Sequence, residues 1–157
     1  MKPPCRLREP VSPRGHGGLE ILIRDKAGFE KVSTEVEGSK RVTMPDGREV
    51  EVRGRCDMIL EVNGLRVGVE IKSSRSDTGI PKEHHIDQAR IYNWLFGLLK
   101  TYLVYITPDR IAQYVVKEAA PYEEIISRIS SRTYPRYLWE CRYCEYSVMC
   151  PFKKVQE

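Results

Sequence analysis

GRCDMILEVNGLRVGVEIK, residues 54–72, consists of two apolar-rich runs joined by Asn63-Gly64. Asn-Gly between alternating apolar residues is a strong signal for a two-residue β-hairpin. Such a turn places Val62 opposite Leu65 and, further out, Asp57 opposite Glu70. Directly opposed residues have Cβ atoms about 4.5–5.5 Å apart. Side chains alternate along a strand, so Lys72 joins Glu70 on one face. The other face carries Cys56, Met58, Leu60, Val62, Leu65, Val67, Val69 and Ile71, an unbroken apolar set expected to form the core side. Cys56 is expected to be a buried thiol, as free cysteines usually are.

Two opposed carboxylates repel, which destabilises a hairpin. The cost falls if a cation sits between them or if one is protonated. Hard oxygen donors with an open side suit Mg²⁺ or Mn²⁺. A neighbouring lysine can orient or deprotonate water, or stabilise charge on a phosphate. The alternative is an ordinary charged, solvated sheet face, and Glu61 with Arg66 has the look of such a surface pair.

Outward from this hairpin, LEILIR (19–24) and KVSTEV (31–36) read as short strands, and 41–53 as a hairpin around Asp46-Gly47. Residues 82–99 place Ile86, Ala89, Tyr92, Leu95, Phe96 and Leu99 at helical spacing, with Pro81 suited to the first turn. His84 and His85 open this helix; one of them could face the site, but a place on the helix surface is expected for each. Strands 101–106 and 111–117 follow, linked through Pro108-Asp109, and 121–132 reads as a short amphipathic helix. The alternation of strands and helices predicts an α/β core.

The 157 residues suffice for one domain, and 31% charged with 41% hydrophobic residues excludes a disordered chain. No apolar run reaches the ~18 residues of a membrane span. The opening MKPPCRLREP has no apolar core of a secretory signal, so a cytoplasmic location with no membrane partner is expected. A net charge of +4 permits a nucleic-acid partner without requiring one. Five cysteines in a chain expected to be intracellular point to metal or cluster ligation rather than disulfides. Low Asn and Gln content leans toward a thermophilic source.

Gly54-Arg55-Cys56-Asp57, then Glu70-Ile71-Lys72, then Gln88-Ala89-Arg90-Ile91-Tyr92 on the next helix, resembles the PD-(D/E)XK nuclease superfamily. The match is closest to the RecB-like branch, with its lone Asp, Glu-x-Lys and Q-x-x-x-Y. With Cys5 and the C-x-x-C-x5-C-P run of Cys141, Cys144, Cys150 and Pro151, the chain looks like the CRISPR-associated RecB-like nucleases.

The resemblance implies a restriction-endonuclease-like fold: a central mixed sheet flanked by helices, with a C-terminal cysteine-rich, cluster-binding appendage. The whole chain, 1–157, would be one nuclease-like domain. Its α/β core would span 19–132, with 1–18 and 133–157 packing together as the appendage. Asp57 and Glu70 would hold the divalent metal with the Ile71 carbonyl, and Lys72 would be the catalytic lysine. Gln88 and Tyr92, four apart on one helix face, would support the site and the nucleic-acid strand. The family also uses an upstream histidine as a metal ligand. His16 is the candidate here, with Glu20 as a substitute. Relatives usually carry a longer helical stretch between the first cysteine and this histidine.

Cys141-x-x-Cys144 is a chelating turn, Cys150 can close on it, and Cys5 fits as the fourth ligand that the resemblance implies. Four cysteines suit Zn²⁺ or an iron-sulfur cluster equally. The resemblance favours [4Fe-4S]. Tyr and Trp residues interleaved with Arg and Lys in 134–154 suit either single-stranded DNA or packing around the cluster. The implied activity is metal-dependent exonucleolytic cutting of single-stranded DNA, processing fragments for CRISPR spacer acquisition alongside other adaptation proteins. Two further readings are a non-cutting iron-sulfur adaptor that binds nucleic acid, and a metal-stabilised interaction protein.

Overall fold

Strands β1 (Lys31–Thr43) and β2 (Glu49–Val62) form a long antiparallel hairpin in the computed structural model, which describes residues 29–131 and 133–154. The runs 31–36 and 41–43 are therefore one strand, and so are 49–53 and 55–62. Met44 N donates to Arg48 O across the connecting turn, where Gly47 has φ 81°. β2 turns at Asn63 (φ 49°) and Gly64 (φ 72°) into β3 (Leu65–Ser73) in the expected register, Val62 opposite Leu65 and Met58 opposite Val69. The strand expected at 19–24 lies outside the described residues.

Helix α1 (Glu83–Phe96) then crosses over to β4 (Lys100–Ile106), which pairs parallel to β3. β5 (Ile111–Val116) returns antiparallel, giving a five-stranded mixed sheet in the order β1-β2-β3-β4-β5. Helix α2 (Tyr122–Ser130) and a single turn, α3 (Glu140–Tyr143), complete the elements. The described residues fall into two compact units, divided after Ile129.

Within the first unit, Ile59 and Cys56 pack against Leu95, Phe96 and Leu98 on the α1 side of the sheet. Met58, Leu60, Val69, Ile71 and Val104 form a separate cluster with Phe29 and Val32. Simple alternation would put Cys56 and Met58 on one face. They divide because the strands turn over at Asp57. The β1–β2 ladder skips the Glu35–Asp57 position, and Glu35 has φ 51°. Val32 and Val36, which also share parity, divide in the same way. Leu65, placed on the core face by sequence, is about half exposed because it borders the turn.

α1 begins two residues after Pro81, with Lys82 as its N-cap, so the proline precedes the first turn rather than entering it. The helix stops at Gly97, whose φ of 64° lets its N–H and that of Leu98 return to Asn93 O. That reversal buries Leu98 and leaves Leu99 about half exposed, the opposite of the helical-spacing expectation.

Asn93 was not an expected core residue, yet it is buried. Its Nδ2 donates to Val116 O (3.1 Å) and Glu118 O (2.9 Å), and Thr101 Oγ1 donates to its Oδ1 (2.7 Å). One amide thus ties the end of α1 to β4 and to the exit of β5. Asn93→Ala strands these buried groups and is expected to cost roughly 3 kcal/mol in urea unfolding, about 1–3 kcal/mol per unsatisfied group. A loss under about 1 kcal/mol would show that water replaces the amide.

Candidate active site

The β2–β3 ladder ends at Met58–Val69, while β3 continues on β4 through Ser73. Backbone groups beyond that point still need partners. The two carboxylates supply them: Asp57 Oδ2 accepts from Ile71 N at 2.8 Å, and Glu70 Oε1 accepts from Asp57 N at 3.1 Å. Asp57 and Glu70 are therefore held together by reciprocal side-chain-to-backbone bonds across an opening between two strands.

This face is not the ordinary solvated surface that stood as the alternative to a metal site. α1 covers it, and Glu70 is only 1% exposed. Burial raises the Glu70 carboxyl above the usual range. Lys72 opposes this, its ammonium 2.8 Å from Glu70 Oε2, and the Asp57 charge adds to it. Glu61 and Arg66, 3.9 Å apart, are the expected partly exposed pair.

The Ile71 N–H points toward Asp57. In an extended strand a residue's N–H and C=O leave on the same edge. The Ile71 carbonyl is therefore also directed at the opening. Asp57 Oδ1 has no hydrogen-bond partner among the described residues. Two carboxylates and one carbonyl make an all-oxygen donor set that fits Mg²⁺ or Mn²⁺. Among the described residues, no group of three or more His, Cys, Asp or Glu side chains gathers around a single point. His16 and Glu20 lie outside the described residues.

Gln88 and Tyr92 meet as their spacing predicts: Gln88 Nε2 donates to Tyr92 Oη (3.2 Å), which donates to Arg55 O (2.8 Å). The pair braces the backbone two residues before Asp57. Burial, then the Glu70 charge, raises the Tyr92 hydroxyl. The approach depends on Gly54, where an added Cβ would lie 2.8 Å from Leu95 Cδ2 and 3.0 Å from Tyr92 Cε1. Cys56 is fully buried as expected, and burial with the nearby Glu70 charge raises its thiol, leaving it unreactive.

Residues 16–151 match the PD-(D/E)XK nuclease superfamily. The chain belongs to that superfamily. It is 43% identical over 144 residues to the CRISPR-associated exonuclease Cas4 of Saccharolobus solfataricus, an alignment spanning 88% of this chain and 69% of that protein. The crystal structure of SSO0001 superposes with a TM-score of 0.79 at 41% identity, covering 89% of this chain and 68% of the other. The mixed sheet with its flanking helices is thus a PD-(D/E)XK nuclease fold, and the chain is a hydrolytic nuclease homologous to Cas4.

One part of this nuclease escaped the sequence reading. His84 and His85 are half-buried rather than on the helix surface. Tyr105 is fully buried and stands beside Lys72 in the β3–β4 register. Its hydroxyl accepts from Lys82 N (3.0 Å) and lies 2.6 Å from His85 Nδ1. The hydroxyl and the imidazole are within hydrogen-bonding distance, and the imidazole tautomer sets which of them donates. Burial, together with Lys72, His84 and Lys82, pushes the imidazole down to about 3, so it stays neutral. Burial also lowers His84, with Lys82 and Lys72 contributing. Helical spacing could not reveal this, because it depends on the parallel pairing of β3 and β4.

In the second unit, Cys141, Cys144 and Cys150 are not in disulfides and line one small cavity of about 30 Å³ with Tyr134, Pro135 and Glu140. Thiols are the donor type of a thiolate-held metal or cluster, although these three do not gather around a single point. Cys5 lies outside the described residues. Tyr137 and Trp139 are near-parallel at 6.0 Å, and Tyr143 meets Trp139 edge-on at 6.1 Å.

Proposed function

We propose that the chain is a Mg²⁺- or Mn²⁺-dependent deoxyribonuclease acting on single-stranded DNA ends, and that it processes fragments for insertion into CRISPR arrays. The observation that carries this reading is the buried Glu70 carboxylate, facing Asp57 where the ladder opens and paired with Lys72 at 2.8 Å. The name of the Cas4 relative supports the exonuclease and CRISPR assignment.

Asp57, Glu70 and the Ile71 carbonyl would hold the cation, with His16 as a further ligand. When bound, such a cation polarises a phosphate oxygen and lowers the pKa of water. Lys72, fixed by Glu70, positions a water for in-line attack on phosphorus and stabilises negative charge as it develops. The attacking oxygen bonds to phosphorus, the P–O3′ bond breaks, and the products are a 3′-hydroxyl and a 5′-phosphate. Gln88 and Tyr92 keep the Arg55–Asp57 backbone in place. Cys5, Cys141, Cys144 and Cys150 would hold a [4Fe-4S] cluster that braces the C-terminal segment. The chain would act in the cytoplasm with other adaptation proteins. No helix among the described residues is long and apolar enough to cross a membrane.

Anaerobically purified protein with Mn²⁺ and end-labelled single-stranded DNA should yield 5′-phosphorylated products, and chelation should stop the reaction. DNA binding without cutting would support the adaptor reading instead. Iron-free protein that folds and cuts with zinc alone would overturn the cluster assignment.

Cation binding also has a pH signature. Because Glu70 is raised, its protonated form favours the folded metal-free chain at low pH, and that contribution is lost as pH rises through the raised value. A cation must displace the same proton, so its affinity grows with pH. Mn²⁺ at about 100 times its Kd should stabilise the wild type by about 2.7 kcal/mol. The accompanying rise in Tm should grow from acid to neutral pH and vanish in Glu70→Gln. An equal rise in that variant would place the cation elsewhere.

A further inference from the structure

The second unit contains another cavity, of about 320 Å³, beside the cysteine cavity. Its lining combines Leu138 and the half-buried Trp139 with Arg142, Lys153 and Lys154, and also includes Ser147. Among the described residues no carboxylate lines it, and none of the three cations has an ion-pair partner. All three are exposed.

Like charges gathered without counter-ions repel one another, which favours an anionic ligand. The adjoining indole requires that this ligand also have a flat apolar part. The volume falls at the small end of ligand pockets, about 300–1,000 Å³. A nucleotide unit meets all three requirements: a base to lie against an aromatic ring, a phosphate for the cations, and a matching size.

We propose that this cavity seats one nucleotide of a single-stranded DNA chain, its base against Trp139 and its phosphates at Arg142, Lys153 and Lys154. The inference rests on the nuclease reading for its choice of DNA, but it concerns binding rather than cutting. The site holds the strand without reading sequence, because every base has a stacking face and phosphates carry no sequence. Cys141 lines both cavities, so the cluster ligand and the nucleotide seat share one wall.

The test measures binding of a fluorescein-labelled oligothymidylate to the full chain at several salt concentrations, without added divalent cation. Lys153→Ala/Lys154→Ala should weaken binding about tenfold and flatten the log–log salt dependence by about 1.4, or 0.7 per phosphate contact on a single strand. The charge-matched pair Lys31→Ala/Lys117→Ala, outside the cavity, should change affinity by less than about twofold. The chain has two tryptophans, Trp94 and Trp139. In a Trp94→Phe background, unlabelled oligothymidylate should quench the remaining indole emission. An unchanged salt slope, absent quenching or no DNA binding would each overturn the proposal. Cutting that persists beside an unchanged slope would overturn it while sparing the nuclease reading. A flattened slope and quenching in a protein that never cuts would sustain it while removing that reading.

Discussion

Lys72→Ala is expected to lower the rate of single-stranded DNA cleavage by about 10²–10⁴-fold, the usual range for a positioned proton-transfer group. The Lys72 ammonium is 2.8 Å from Glu70 Oε2, and its side chain is only 17% exposed. It is therefore fixed rather than sampling solvent, and water cannot replace it in position or charge. Removing it also leaves Glu70 without its nearest cation, which should raise that carboxyl further. The variant should thus need a higher pH for cation binding, yet still show Mn²⁺-induced stabilisation once Glu70 is ionised. This separates a lost catalytic group from a lost metal site. Cutting within about threefold of wild type would show that Lys72 serves only to balance the Glu70 charge. Lys72→Arg, which keeps the charge but loses the compact ammonium, should rescue stability more than rate.

Cys144→Ser is expected to have the second large effect, with a different reach. Cys144 is buried and shares its cavity with Cys141 and Cys150. If these thiolates hold a cluster, ligation contributes directly to folding, and structural zinc sites give the scale of about 10–16 kcal/mol. Serine offers a hard, high-pKa oxygen in place of a soft thiolate. The variant should lose its iron and acid-labile sulfide. Limited proteolysis should then open the chain after Ile129, because the residues beyond it form a separate compact unit. The sheet unit, with its own buried clusters, should survive as a protected fragment. Unchanged metal content and protection would mean that the cysteines line their cavity without ligating anything.

The sequence specified every local step that brings the catalytic candidates together. Asn63-Gly64 alone determined the β2–β3 register, because a two-residue turn with both residues at positive φ admits one pairing. The spacing of Gln88 and Tyr92 placed them on one helix face, and the C-x-x-C run brought Cys141 and Cys144 to a common cavity. These features depend on neighbours within a few residues, where backbone geometry leaves little choice.

What only the tertiary structure decided was long-range. Alternation placed Asp57 and Glu70 on the face away from the hairpin's apolar set and left open whether that face was solvated; α1 settled on it and buried Glu70, which raises its carboxyl pKa. The inversion at Glu35 and Asp57 moved Cys56 to the opposite side from Met58. His85 met Tyr105 only because β3 and β4 pair in parallel across a helical crossover. Each of these outcomes depends on which element covers which face, and that is set by burial of apolar surface summed over the whole sheet. No single residue's periodicity carries that sum, whereas a turn or a one-helix-turn spacing is complete within its own few residues.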